Sequence, residues 1–127
     1  MAQRILVVDD EPTTLKMLEM TLKLEGYEIA TARDGKMALA LFPDFKPDLV
    51  ILDMMMPGQT GIEVLNTIKK LYSSPPPVII FSAKDSIQDM VEGREAGAFK
   101  YLVKPVSRAE LLQNVKAALV SRAFRKG

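Results

Sequence analysis

The chain has 127 residues, 48% of them hydrophobic, which is the length of one domain with enough apolar material for its own core. It contains no cysteine and no histidine, which excludes disulfides, thiolate and imidazole metal sites, Ser-His or Cys-His nucleophiles and a phosphohistidine carrier. With 17 basic and 16 acidic residues the net charge is +1, so no global field steers the chain to nucleic acid or a membrane surface.

Ile5 to Asp9 is the first of several short apolar runs that read as buried strands. Four apolar residues before a carboxylate are too few for a signal peptide or a membrane span, so a cytoplasmic location is expected. Leu15, Leu18 and Leu22 follow at helical spacing, with Pro12 suited to a first turn and Gly26 closing the segment. Tyr27 to Ala32 is the second strand. Ala38 and Leu41 predict a short helix ending near Pro43. Leu49 to Asp53 is the third strand, and Ile62, Leu65, Ile68 and Tyr72 mark a helix opened by Gly61.

Ser73-Ser74-Pro75-Pro76-Pro77 reads as a stiff loop ahead of the fourth strand, Val78 to Ser82, and not as a domain linker. Ile87, Met90 and Val91 mark a fourth helix with Ser86 as N-cap. Phe99 to Val103 is the last strand. Leu111, Val115, Ala118 and Leu119 mark the fifth helix, with Ser107 as N-cap and Glu110 three residues on in a capping-box pattern. Arg122, Arg125 and Lys126 read as cations favoured by a helix C-terminus rather than as a nucleic-acid contact.

Strands alternating with helices predict an α/β domain over residues 1–127: a five-stranded parallel sheet with five helices on both faces and right-handed crossovers. In such a sheet all C-terminal strand ends lie on one edge, where ligands bind. With the flavodoxin-like order 2-1-3-4-5, Asp9 and Asp10 meet Asp53 at the switch point, and Ser82 and Lys104 sit on the adjoining strands. Taken singly, each has an ordinary explanation. Asp10 suits the N-cap of the first helix, Asp53 a loop cap, Ser82 a turn, Lys104 solvent, and Pro105 a strand terminator.

Together they are harder to dismiss. Converging carboxylates raise one another's pKa unless a cation intervenes, and a hard divalent ion such as Mg²⁺ with oxygen ligands answers that. A lysine and a hydroxyl beside them match what phosphoryl transfer demands, with one carboxylate as nucleophile.

Leu6-Val7-Val8-Asp9-Asp10, Leu52-Asp53-Met54-Met55-Met56-Pro57-Gly58, Ser82-Ala83 and Tyr101-Leu102-Val103-Lys104-Pro105 resemble the receiver domain of two-component response regulators, over nearly the whole chain. The resemblance implies a phosphoacceptor at Asp53, charged by a sensor histidine kinase, rather than an enzyme with an external substrate. It implies Mg²⁺ at Asp9, Asp10, Asp53 and the main-chain carbonyl of Met55. It makes Ser82 the switch hydroxyl, Lys104 the phosphoryl-binding lysine and Pro105 the partner in a cis bond. Tyr101 becomes the switch aromatic, expected to move from an outward rotamer, and the surface of the fourth helix, fifth strand and fifth helix carries the signal.

The positions expected to tune dephosphorylation are Met55 and Lys84. An output domain or a downstream protein is the implied partner, with a monomer or a phosphorylation-dependent dimer as the assembly. The chain is expected to be a stand-alone regulator or the N-terminal receiver of a longer one.

Ser82 stands where Thr is common in the family, and Val106 where Phe is frequent. Met54 to Met56 fit loop packing better than an adaptable partner surface. A haloacid-dehalogenase-type phosphatase, which uses the same aspartyl-phosphate chemistry, would carry Asp-x-Asp after a strand with the second Asp as acid/base, and here that position is Met55. A nucleotide-binding module would need glycines where Asp9-Asp10-Glu11-Pro12 stands. A receiver degenerated to a scaffold would lack some of these five side chains, and all are present.

Overall fold

The computed structural model describes residues 2–126, and side chains as far as Phe124. Elements follow in the order β1 (Arg4–Val8), α1 (Pro12–Leu24), β2 (Glu28–Ala32), α2 (Gly35–Phe45), β3 (Leu49–Leu52), α3 (Gly61–Leu71), β4 (Val78–Ser82), α4 (Ile87–Glu95), β5 (Lys100–Val103) and α5 (Arg108–Lys126). The five strands pair in parallel in the order β2-β1-β3-β4-β5, as the sequence predicts.

Successive side chains of a strand point to opposite faces, so each apolar run feeds two cores. Ile5 and Val7 of β1 join Leu49, Ile51, Ile79 and Phe81 against α1 and α5. Leu6 and Val8 join Val50, Leu52 and Ile80 against α2 and α3. Both faces of β1, β3 and β4 are therefore covered, which is why these strands are continuous apolar runs rather than alternating ones.

The helix ends differ from expectation in informative ways. The N-cap of α1 is Glu11 and not Asp10, and no side chain caps it. Gly26 follows the helix with φ +92°, a conformation that costs glycine little, and its N–H returns to the Lys23 carbonyl. α2 does not stop at Pro43 but runs to Phe45 and ends at Lys46 with φ 53°. A proline so near the C-terminus forfeits one intrahelical bond, and Phe42 and Phe45 on either side of it pack on the core in return.

Tyr72 falls just beyond α3 and stacks on Phe42 at 4.5 Å between ring centroids. α3 opens at Gly61 as expected, with Thr60 as its N-cap in a full capping box with Glu63. Ser86 caps α4 through the Asp89 N–H, and Ser107 accepts from the Glu110 N–H at the start of α5. Arg122 donates through Nη1 to the Ser74 carbonyl at 2.7 Å, while the side chains of Arg125 and Lys126 lie outside the described residues.

Candidate functional site

Strand register decides where the acidic residues meet. Val8 pairs with both Ala32 and Leu52, so the next residues, Asp9 and Asp53, leave adjacent strands side by side. The backbone extends the ladder one step further: Asp9 N–H donates to the Ala32 carbonyl at 3.1 Å and Asp53 N–H to the Val8 carbonyl at 3.0 Å. These bonds fix both side chains to the ends of two adjacent, largely buried strands. Asp9, Asp10 and Asp53 each bring a carboxylate oxygen to within 4.8 Å of the others, with Asp9 and Asp53 buried and Asp10 exposed.

A basic group enters this cluster from the far side. Lys104 N–H donates to the Ser82 carbonyl at 2.8 Å, which carries its side chain back across β4. Nζ lies 2.7 Å from Asp9 Oδ2 and 3.7 Å from Asp53 Oδ2, and 5.4 Å from the centre of the Phe81 ring. The Lys104–Pro105 peptide bond is cis, as the resemblance implies.

The charges act on one another as expected for a partly buried cluster. Burial raises the Asp53 carboxyl above the ordinary carboxylate range and the Asp9 charge adds to the rise. Lys104, the Met55 amide and Ser82 pull the other way without cancelling it. Burial works against the Lys104 ammonium, but the hydrogen bond to Asp9 and the charges of Asp53, Asp9 and Glu11 hold it above its usual value.

Asp9 is already engaged at both oxygens, Oδ1 by the Glu11 N–H at 2.9 Å and Oδ2 by Lys104. Asp10 makes no protein hydrogen bond or ion pair among the described residues, and its N-cap explanation fails because α1 begins after Glu11. Three carboxylates facing a single lysine leave an excess of negative charge, and an all-oxygen donor set suits a hard divalent cation.

The remaining predicted residues split into near and far. Ser82 is buried, acts on Asp53, and its Oγ accepts the Lys84 N–H at 3.2 Å. Met55 is more than half exposed above Asp53, its N–H 3.5 Å from Asp53 Oδ1, while Met54 and Met56 are buried in the loop. Lys84 turns away from the carboxylates, Nζ 3.8 Å from Asp89 Oδ1. Tyr101 is half-buried rather than outward. Its hydroxyl donates to the Lys84 carbonyl at 2.8 Å and interacts with Ser82, and its ring packs on the core below.

One contributor is not evident from strand ends: Gly61. A Cβ there would stand 2.3 Å from the Asp53 carbonyl oxygen, so only glycine lets the start of α3 fold back onto the loop carrying Asp53. Its N–H donates to the Met54 carbonyl at 2.9 Å. The available signal is a glycine at the predicted first residue of a helix, where nothing in the local sequence requires one.

Comparison with known proteins agrees with this picture. Residues 5–116 match the family model of the response regulator receiver domain. The chain is similar to a receiver domain protein (CheY-like) from Methanospirillum hungatei JF-1, with a TM-score of 0.91, 30% identity and all of both chains covered. It is similar to the chemotaxis protein CheY4 of Vibrio cholerae, with a TM-score of 0.85 and 32% identity over 93% of this chain and 99% of that one. It is also similar to part of NtrX from Brucella abortus, with a TM-score of 0.92 and 34% identity over 99% of this chain but 29% of that one.

Proposed function

The chain belongs to the response regulator receiver domain family, and from that premise we propose that Asp53 accepts a phosphoryl group from the phosphohistidine of a sensor kinase. The single observation that carries this reading is the convergence of Asp9, Asp10 and Asp53 to within 4.8 Å with the Lys104 ammonium between two of them. All of residues 1–127 are taken as one such domain.

An Asp53 carboxylate oxygen attacks phosphorus, and the P–N bond breaks as its electron pair leaves with the imidazole, which then collects a proton from solvent. The product is an aspartyl phosphate. Mg²⁺ is the cation proposed here, and it would spread the charge of the phosphoryl oxygens and restore ionisation of the nucleophile.

Asp10, which no protein group engages among the described residues, would hold the ion directly. Asp9, held at both oxygens, would act through water, and Asp53 with the Met55 carbonyl would complete the set. Lys104 is shared unequally between Asp9 and Asp53, so it is placed to transfer its hydrogen bond to an arriving phosphoryl oxygen. Ser82 offers a hydroxyl to the same group and is in contact with Tyr101.

The α4, β5 and α5 surface then presents the change to an output domain or a downstream protein, as a monomer or a phosphorylation-dependent dimer. Met55 and Lys84 set the lifetime of the phosphoryl group: an exposed thioether and a lysine drawn to Asp89 offer nothing to orient an attacking water. Action in the cytoplasm is part of this reading; among the described residues no helix is long and apolar enough to cross a membrane.

The test is to incubate the protein with Mg²⁺ and acetyl phosphate and to weigh it intact. Wild type should gain one phosphoryl group and Asp53→Asn none. Asp10→Ala should stay folded while its Mg²⁺ affinity falls. Labelling of Asp53→Asn at the wild-type rate would overturn the assignment.

A further inference from the structure

α4 carries a glycine in its interior, and its backbone does not need one. Gly93 has ordinary helical geometry, unlike Gly26, Gly58 and Gly97, whose φ angles are positive. In a helix interior alanine is the better residue, so glycine here weakens α4 without conformational return. Gly93 is nonetheless the one buried residue of this helix, whose Ile87 and Val91 are exposed.

Its surroundings supply the reason. A Cβ at position 93 would lie 2.9 Å from Tyr101 Cδ2, 3.3 Å from Tyr101 Cε2 and 2.9 Å from Ile80 Cδ1. Ile80 is fully buried in β4 between β3 and β5 and has little room to yield. The Tyr101 ring is half-buried on the edge strand, and a hydrogen bond from Oη to the Lys84 carbonyl ties its far end. The terminal methyl of Ile80 can turn only a little in its packed surroundings, and whatever it does the ring atoms at 2.9 and 3.3 Å must shift.

We infer that Gly93 is the positioning residue of Tyr101: the space where a side chain would stand is the seat of the ring, and an open seat lets the phenol reach the Lys84 carbonyl. Lys84 donates in turn to Ser82, and Ser82 acts on Asp53, so the seat is tied to the acidic cluster through the β4–α4 loop without touching it. A methyl at 93 displaces the ring and leaves the carboxylates as they are. That the ring's position carries the signal rests on the phosphoacceptor reading, whereas the seat itself does not.

The experiment is NMR on the full chain, with the Tyr101 ring signals assigned by Tyr101→Phe, together with Asp53 labelling by Mg²⁺ and acetyl phosphate. In wild type, cross-relaxation between the Gly93 Hα and Tyr101 Hδ protons is expected, and its absence overturns the inference. In Gly93→Ala the Tyr101 ring should move away from residue 93 and shift its resonances, while Asp53 labels at the wild-type rate. Unchanged Tyr101 contacts in a folded Gly93→Ala protein would also overturn it. If Gly93→Ala fails to fold, Tyr101→Leu added to it should restore folding, and failure of that rescue counts against the seat. Loss of labelling in wild type with the ring contacts as described would remove the phosphoacceptor reading and leave the seat standing.

Discussion

β1 and β3 are buried along nearly their whole length, whereas β5 alternates exposed, half-buried and buried positions and is covered by a helix that buries only Gly93. The acidic residues leave β1 and β3, and Tyr101 stands on β5. The groups whose mutual distances decide the chemistry are thus anchored where both cores close on the backbone. Tyr101, the aromatic proposed to switch, is on an edge with few buried contacts, where local opening costs least. One sheet supplies both, because parallel order puts β1 and β3 in the middle and β5 at the rim.

The largest effect that tests this contrast comes from the core. Ile51→Ala in β3 should cost about 2–5 kcal/mol in urea unfolding, against less than about 0.5 kcal/mol for Val91→Ala on the exposed side of α4. Equal losses would erase the distinction between centre and rim. The next effect has the opposite sign. Because the folded protein holds the Asp53 carboxyl above its ordinary range, that group favours folding fully only below the unfolded carboxylate value. The contribution is lost as pH rises through the raised folded value.

Metal-free Asp53→Asn should therefore melt above wild type at neutral pH, and the gap should narrow as pH falls through the carboxylate range. Added Mg²⁺ should raise wild type more than the variant. A gap that widens on acidification contradicts the raised pKa.

Caps give the smallest and most local comparison. Thr60→Ala and Ser86→Ala each remove a side chain that accepts an N–H at a helix start, for about 1 kcal/mol. In α3, packed on the core through Val64, Leu65 and Ile68, the loss should appear as global destabilisation. In α4 it should appear mainly as faster amide hydrogen exchange within residues 87–95, with the melting temperature little changed. A uniform rise in exchange across the sheet for Ser86→Ala would join the rim to the centre.

The central strands were legible because a run such as Ile5 to Val8 has one physical solution, burial on both faces, and the carboxylates follow at its end. What escaped depends on partners distant in the chain. Asp34 caps α2 through the Met37 N–H, but nothing in its own neighbourhood distinguishes it from other loop aspartates. Pro43 was read as a terminator since the packing of Phe42 and Phe45 is a tertiary gain that a local rule omits. The outward Tyr101 was expected from the family, whereas the ring's place is set by what lies eight residues back, where a glycine reads locally as a mere weakness. The ion pair that Lys84 makes with Asp89, five positions on, is likewise a partner that no local rule picks out.

The division of β1 between two cores also governs which lengths of chain can be tolerated. Ile5 and Val7 serve one face and Leu6 and Val8 the other, so inserting one residue before Asp9 exchanges every side chain between the faces. Sheet hydrogen bonding would survive the slip, yet Asp9 would be carried out of line with Asp53. Single-residue insertions and deletions in this strand should therefore be absent from functional variants of the chain, while the Ser73–Pro77 loop at the other end of the sheet absorbs them. The strand works as an index mark: the count of residues before the first carboxylate is as much a part of the site as the carboxylate.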